Sequence, residues 1–224
     1  MFPVPRPLRG RPWVGLTVGL LGGSFNPAHD GHRHISLYAL RALHLDAVWW
    51  LVSPQNPLKP SRGMAALDWR LAAAHKVARH PRLVITAIEQ ELGTRYTADT
   101  LAALHRRFPR TRFVWLMGAD NLAQIARWQR WQRLFDSTAI AVFARPTYSL
   151  KALGSRAAQR YRRRRIVAAR AATLAAQSPP AWSFLRNRLH PASATEIRRR
   201  TGAGSLPTDD RQAQHADPGP NPPQ

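Results

Sequence analysis

Val14-Gly15-Leu16-Thr17-Val18-Gly19-Leu20-Leu21-Gly22-Gly23-Ser24-Phe25-Asn26-Pro27-Ala28-His29-Asp30-Gly31-His32 is the stretch whose reading decides the fold. The apolar run Val14–Leu21 predicts a buried strand, Gly22-Gly23-Ser24-Phe25-Asn26-Pro27 a turn, and His32 to about Leu45 a helix. Strand, glycine turn and helix start together present backbone N–H groups to a phosphate. No Gly-Lys-Ser/Thr closes the turn, so it is not a Walker loop, nor does it match the G-x-G-x-x-G fingerprint. It offers instead two imidazoles, His29 and His32, three residues apart on one helical turn and able to face one point. Each piece alone is ordinary; the combination is not. A zinc site from His29, His32 and His34 is the metal alternative, but no Cys or Glu falls at ligand spacing nearby, and no protein metal site is expected.

Downstream, strands and helices alternate. Asp46–Val52 predicts a second strand, ending in the stiff polar loop Ser53-Pro54-Gln55-Asn56-Pro57-Leu58-Lys59-Pro60. Asp68 is expected to cap a helix to Arg79, with Leu71, Ala74, His75 and Ala78 on one face. Leu83–Ile88 is a third strand, Glu89–Arg95 a loop, and Thr97 the cap of a helix to Phe108. Arg112–Met117 and Thr138–Ala144 are further strands, with Gly118-Ala119-Asp120-Asn121 and the Trp128/Trp131 segment between them. Lys151–Gln177 predicts a long Ala/Arg helical region in which a break is allowed, Trp182–Leu185 a short last strand, and Ser193-Ala194-Thr195-Glu196 the start of a final helix. The pattern predicts a single α/β Rossmann-like domain over 13–202, its mostly parallel sheet covered by helices on both faces. Residues 1–12 and 203–224 are expected to be disordered extensions. In such sheets ligands bind beyond the carboxyl ends of the strands.

Composition narrows the class. The chain has 224 residues, no cysteine, and no apolar stretch of 18 residues, so neither disulfides nor a membrane span is expected. Arg6, Arg9 and Arg11 ahead of Val14–Leu21 loosely mimic a signal peptide. The run is short, however, and cleavage would destroy the proposed site; the expected compartment is the cytoplasm. With 34 Lys+Arg against 12 Asp+Glu the formal charge is +22, which favours anionic partners. An Arg/Ala/Pro bias of GC-rich coding gives the same excess, and nucleic acid is not the expected partner. A homo-oligomer is left open.

A second basic element comes late in the chain. Arg198 stands one turn beyond Ser193 and Thr195, and a capping N–H pair plus an arginine makes a phosphate cradle.

Gly-Gly-Ser-Phe-Asn-Pro followed by His29-Asp30-Gly31-His32 resembles the first signature of the nucleotidyltransferase superfamily, and Ser193-Ala194-Thr195-Glu196-Ile197-Arg198 resembles its second. Four further stretches are similar to bacterial nicotinate-nucleotide adenylyltransferases: Pro54–Lys59, Arg95-Tyr96-Thr97-Ala98-Asp99-Thr100-Leu101, Gly118–Leu122, and Trp128 ahead of Trp131 and Leu134. The likeness spans about residues 18–200. It implies transfer of AMP from ATP, taken with Mg²⁺, to nicotinate mononucleotide. Nicotinamide mononucleotide or another phosphate such as phosphopantetheine are the alternative acceptors. Two further alternatives are a basic nucleic-acid-binding protein on an inactive scaffold and a histidine-zinc hydrolase.

The resemblance also implies roles. Gly22, Gly23, Ser24 and Phe25 would form the ATP phosphate loop, with His29 and His32 on the reacting phosphate. Ser193, Thr195 and Arg198 would hold the triphosphate, and Asp120 would lie near the adenosine ribose. Gln55, Asn56, Lys59, Thr97 and Trp128 would form the acceptor pocket, Trp128 stacking on the pyridinium. Gln55 and Gln129 depart from the family pattern, which carries Asn at the first position and commonly an aromatic at the second.

Overall fold

The computed structural model describes residues 13–54, 64–145 and 147–188. Seven strands form one sheet in the order β3-β2-β1-β4-β5-β7-β6, and every pairing within it is parallel. They are β1 (Thr17–Gly23), β2 (Ala47–Val52), β3 (Leu83–Thr86), β4 (Arg112–Gly118), β5 (Ala139–Phe143), β6 (Arg165–Ile166) and β7 (Trp182–Leu185). The chain winds outward from β1 to β3, then returns to the other side of β1 with β4. That reversal places a topological switch point between β1 and β4, where sheets of this kind open a crevice at their carboxyl edge.

Alternation along the strands feeds two cores, one on each face. Val18, Leu20, Trp49, Leu51, Trp115, Val142 and Trp182 pack beneath α4 (Thr97–Arg107), α5 (Ala119–Gln124) and α6 (Trp131–Ser137). Leu21, Trp50, Val52, Ile85, Leu116 and Phe143 pack beneath α1 (Asp30–Ala42), α2 (Leu67–Ala78) and a 3₁₀ run over Ala168–Ala176. A sheet covered on both sides explains why β2 reads Ala-Val-Trp-Trp-Leu-Val with all six residues buried. Each tryptophan-sized side chain buried this way contributes about 2–3 kcal/mol of burial free energy.

Several boundaries differ from expectation, each for a local reason. β1 begins at Thr17, not Val14: Trp13–Gly15 turns, Gly15 sits at φ +79°, and Asp46 accepts the Thr17 N–H at 2.7 Å. The same strand runs on through Gly22 and Gly23, paired with Leu51 and Val52, so the turn starts at Ser24. Asp68 caps nothing; Ala66 is the N-cap of α2, without a side-chain bond. His75 is exposed, and Arg70 takes the place on the buried face. β3 stops at Thr86, and α3 (Ile88–Glu91) occupies the expected start of the Glu89–Arg95 loop. α4 has Tyr96 rather than Thr97 at its N-cap, the Tyr96 carbonyl accepting from the N–H groups of Asp99 and Thr100.

The largest correction is Lys151–Gln177. It is not one helical region but α7 (Ser149–Leu153), α8 (Arg156–Arg160), a 3₁₀ turn at Arg162–Arg164, strand β6 and the Ala168–Ala176 run. Alanine and arginine favour helix, yet edge pairing of Arg165–Ile166 with Trp182–Ser183 and burial of Ala171 and Leu174 override that preference.

Candidate functional site

All strands being parallel, the segments leaving β1, β2, β4, β5 and β7 emerge at one edge of the sheet. After Gly23 the chain turns at Phe25, whose φ of +47° is a left-handed conformation that a bulky residue keeps only when its surroundings hold it. Here they do: the Phe25 ring stacks on Trp50 at 5.1 Å and meets His32 at 4.7 Å. Trp50 is anchored in turn by its indole N–H, which donates to Ser36 Oγ at 2.8 Å. Gly22 must be glycine because the Trp115 ring occupies the space a Cβ would need.

His29 is buried and is the N-cap of α1. Its Nδ1 accepts the Gly31 N–H at 3.1 Å, while His32 Nδ1 accepts the His29 N–H at 3.2 Å. These reciprocal bonds form a capping box written in imidazoles instead of hydroxyl and carboxylate. A nitrogen that accepts cannot carry the proton, so in each neutral ring the N–H resides on Nε2. The two rings lie 3.9 Å apart between centroids, tilted by 34°. The helix start thus holds two Nε2–H donors as a pair, reinforced by the helix dipole and suited to an anionic oxygen.

His34 stands apart from the pair. Its Nε2 lies 2.8 Å from the carbonyl of Arg188, tying the chain that leaves β7 to α1. Among the described residues no group of three or more His, Cys, Asp or Glu is placed to hold a metal.

On the β2–β3 side, two buried charged residues absent from the sequence-based expectation converge on Ser53. Arg70, 1% exposed, donates from Nε to the Ala65 carbonyl at 2.8 Å, from Nη1 to Ser24 at 2.8 Å and Ser53 at 2.6 Å, and from Nη2 to Pro54 at 2.9 Å. Glu89, 7% exposed, takes hydrogen bonds from the Ser53 side chain and, at 3.4 Å, from the Thr100 hydroxyl. Burial pushes its carboxyl up to about 7, and those two bonds only partly oppose the rise. Ser53 N donates to Gly23 O at 2.9 Å, and Asn26 Oδ1 accepts from Ala65 N at 3.3 Å, so the end of β1 is stitched to the end of β2 and to the chain entering α2.

Asp120 follows β4 across the switch point from the histidine loop. Arg145, just after β5, faces it at 3.4 Å, and Gly118 leaves the space both side chains fill. Thr97 begins α4 and is half-buried. Trp128 is also half-buried and ends a 3₁₀ turn rather than lying on a helix with Trp131; Trp131 is core, packed edge-on to Phe135 and Tyr161. The exposed Arg130–Asp99 pair at 2.8 Å links the Trp128 segment to α4. Gln55, Asn56, Lys59, Ser193, Thr195 and Arg198 lie outside the described residues.

The cytidylyltransferase-like family matches residues 20–200 of the chain. A Parvibaculum lavamentivorans protein named "Probable nicotinate-nucleotide adenylyltransferase" is 57% identical over 188 residues, 84% of this chain and 94% of that protein. A Bradyrhizobium sp. protein of the same name is 52% identical over 188 residues, 84% and 98% of the two chains. Among solved structures, the Plasmodium falciparum nicotinic acid mononucleotide adenylyltransferase complexed with NaAD aligns over 82% of this chain and 83% of its own. Its TM-score is 0.62 at 14% identity, a likeness of fold. Signature loop, switch-point sheet and relatives agree: the chain belongs to the cytidylyltransferase-like family and, within it, to the nicotinate-nucleotide adenylyltransferases.

Proposed function

We propose that the chain transfers AMP from ATP to nicotinate mononucleotide, giving nicotinate adenine dinucleotide and pyrophosphate. A phosphate oxygen of the mononucleotide forms the new bond to the α-phosphorus of ATP. The bond from that phosphorus to the oxygen bridging the β-phosphate breaks, and pyrophosphate leaves with the electron pair. The nucleophile is already ionised at neutral pH, so the reaction asks for neither a general base nor a covalent intermediate. What remains is positioning and stabilisation of charge.

The observation that carries this proposal is the imidazole pair, 3.9 Å apart, whose Nδ1 atoms are both committed to backbone N–H groups. In our account the Nε2–H donors of His29 and His32 hold the α-phosphate oxygens as charge builds on them. Gly22, Gly23 and Ser24 line the phosphates while Phe25 shapes the loop, and Ser193, Thr195 and Arg198 take the β and γ groups. Support for that last assignment comes from the Arg188 carbonyl at His34, which sets residue 188 beside α1 five positions before Ser193 in sequence. Asp120 is assigned to the adenosine ribose; Gln55, Asn56, Lys59, Thr97 and Trp128 are assigned to the acceptor. Mg²⁺ is taken as part of the nucleotide substrate, shielding its phosphates. We place the reaction in the cytoplasm; no helix among the described residues is long and apolar enough to cross a membrane.

Pyrophosphate release by the purified protein, with ATP and each acceptor in turn, tests the proposal. Turnover with nicotinate mononucleotide is expected to exceed that with nicotinamide mononucleotide and phosphopantetheine. Equal or faster turnover of the amide would overturn the acceptor assignment.

A further inference from the structure

Four hydrogen bonds of the Arg70 guanidinium reach loops from three places in the chain. Ser24 belongs to the histidine loop, Ser53 and Pro54 to the chain leaving β2, and Ala65 to the chain entering α2. All four acceptors are backbone carbonyls. Arg70 therefore fixes backbone positions whatever side chains the loops carry.

The arrangement is costly for a residue that only packs. Arg70 is 1% exposed on the face of α2 that also buries Leu71, Ala74 and Ala78. An apolar side chain there would fill the same space without desolvating a charge, and such replacements are frequently neutral or stabilising. A lysine could not serve either, because a single ammonium with three donors cannot span four carbonyls as a planar fork does. Ser53 N donating to Gly23 O and Asn26 Oδ1 accepting from Ala65 N each tie the histidine loop to one of the other two segments, whereas the Arg70 guanidinium bonds all three at one group.

We infer that Arg70 is a positioning residue for the proposed transfer, holding the acceptor-side loop ends at Ser53–Pro54 and Ala65 in register with the phosphate loop at Ser24. The inference rests on the reaction proposed above. ATP would still bind without it; the attacking phosphate would meet the α-phosphorus out of line. Misplacement of a reacting group by about 1 Å costs on the order of a hundredfold in rate.

The test compares wild type with Arg70→Lys and Arg70→Gln in two assays: pyrophosphate release with varied nicotinate mononucleotide, and calorimetric binding of a non-hydrolysable ATP analogue. Expected is a loss of kcat/KM for the mononucleotide of about 30–100-fold, with analogue affinity within about threefold of wild type and a cooperative melt. Unchanged kcat/KM would overturn the inference. So would parallel loss of both activities in proportion to the unfolded fraction, or failure of both variants to fold, since Arg70 would then serve the fold alone. A wild type that releases no pyrophosphate sinks the proposed reaction itself and this inference with it, whereas an active wild type with indifferent variants sinks the inference alone.

Discussion

Arginine does two different jobs in the two halves of this sheet. On the β1–β3 side, Arg70 is buried and spends its fork on four carbonyls of three loops. On the β5–β7 side, Arg162, Arg163 and Arg164 are exposed, and residues 137–188 contain no Asp or Glu to pair with them. A buried guanidinium acts through geometry and is sensitive to the loss of any one bond. Exposed ones act through a field that salt screens within about 8 Å at physiological ionic strength. The formal +22 of the chain is thus a poor guide to its chemistry, and the position of one side chain is a better one.

The contrast sets an order of expected effects, and the largest lies at the histidine pair. His29→Ala should lower kcat by about 3–4 kcal/mol of transition-state stabilisation, a hundredfold to a thousandfold, since it removes one donor to the developing charge. Its loss of stability, from the missing N-cap bond, should stay near 1 kcal/mol. Steady-state kinetics beside a thermal melt separates the two.

Glu89→Gln comes next and reads out as stability against pH. The folded carboxyl titrates near 7 against an unfolded value of 4.5, so the native state binds the extra proton between those values. Glu89's contribution to stability therefore falls as pH rises from about 4.5 to 7 and stays low above it. The Gln variant, which does not titrate, should gain on wild type across that window by about 3 kcal/mol. Denaturant titrations at pH 5 and pH 8 measure the gain; an unchanged difference between the two would show that the carboxyl is not held neutral.

Gly22→Ala should cost about 1–3 kcal/mol, because the new methyl must displace the Trp115 ring. The smallest effect is expected where the arginines face water. Replacing Arg162, Arg163 and Arg164 together by Ser should leave stability within about 1 kcal/mol. It should slow capture of the anionic substrates only at low salt. A large loss at high salt would erase the distinction between the two halves.

The histidine loop was legible in the sequence because a strand, a glycine pair and two imidazoles at helix spacing need no long-range contact to be read. Which ring nitrogen carries the proton was not, since it depends on where each ring finds a backbone N–H. Arg70 and Glu89 were illegible for a related reason. A lone charge in an amphipathic segment reads as solvated, and only the assembled β1, β2 and β3 ends bring its partners to it. The Lys151–Gln177 stretch misled through propensity: Ala and Arg favour helix locally, but the open edge beside β7 recruits Arg165–Ile166 as strand. Thr97 looked like a cap by residue type, yet it is already the first helical residue, and the extended Tyr96 before it is the N-cap.

In the proposed transfer His29 and His32 grip the α-phosphate together. A crystal structure with nicotinate adenine dinucleotide bound tests it most directly. Oxygens of the adenylate phosphate are expected within about 3.2 Å of Nε2 on both rings. An adenylate phosphate seated against other residues, with either imidazole out of reach, would contradict it.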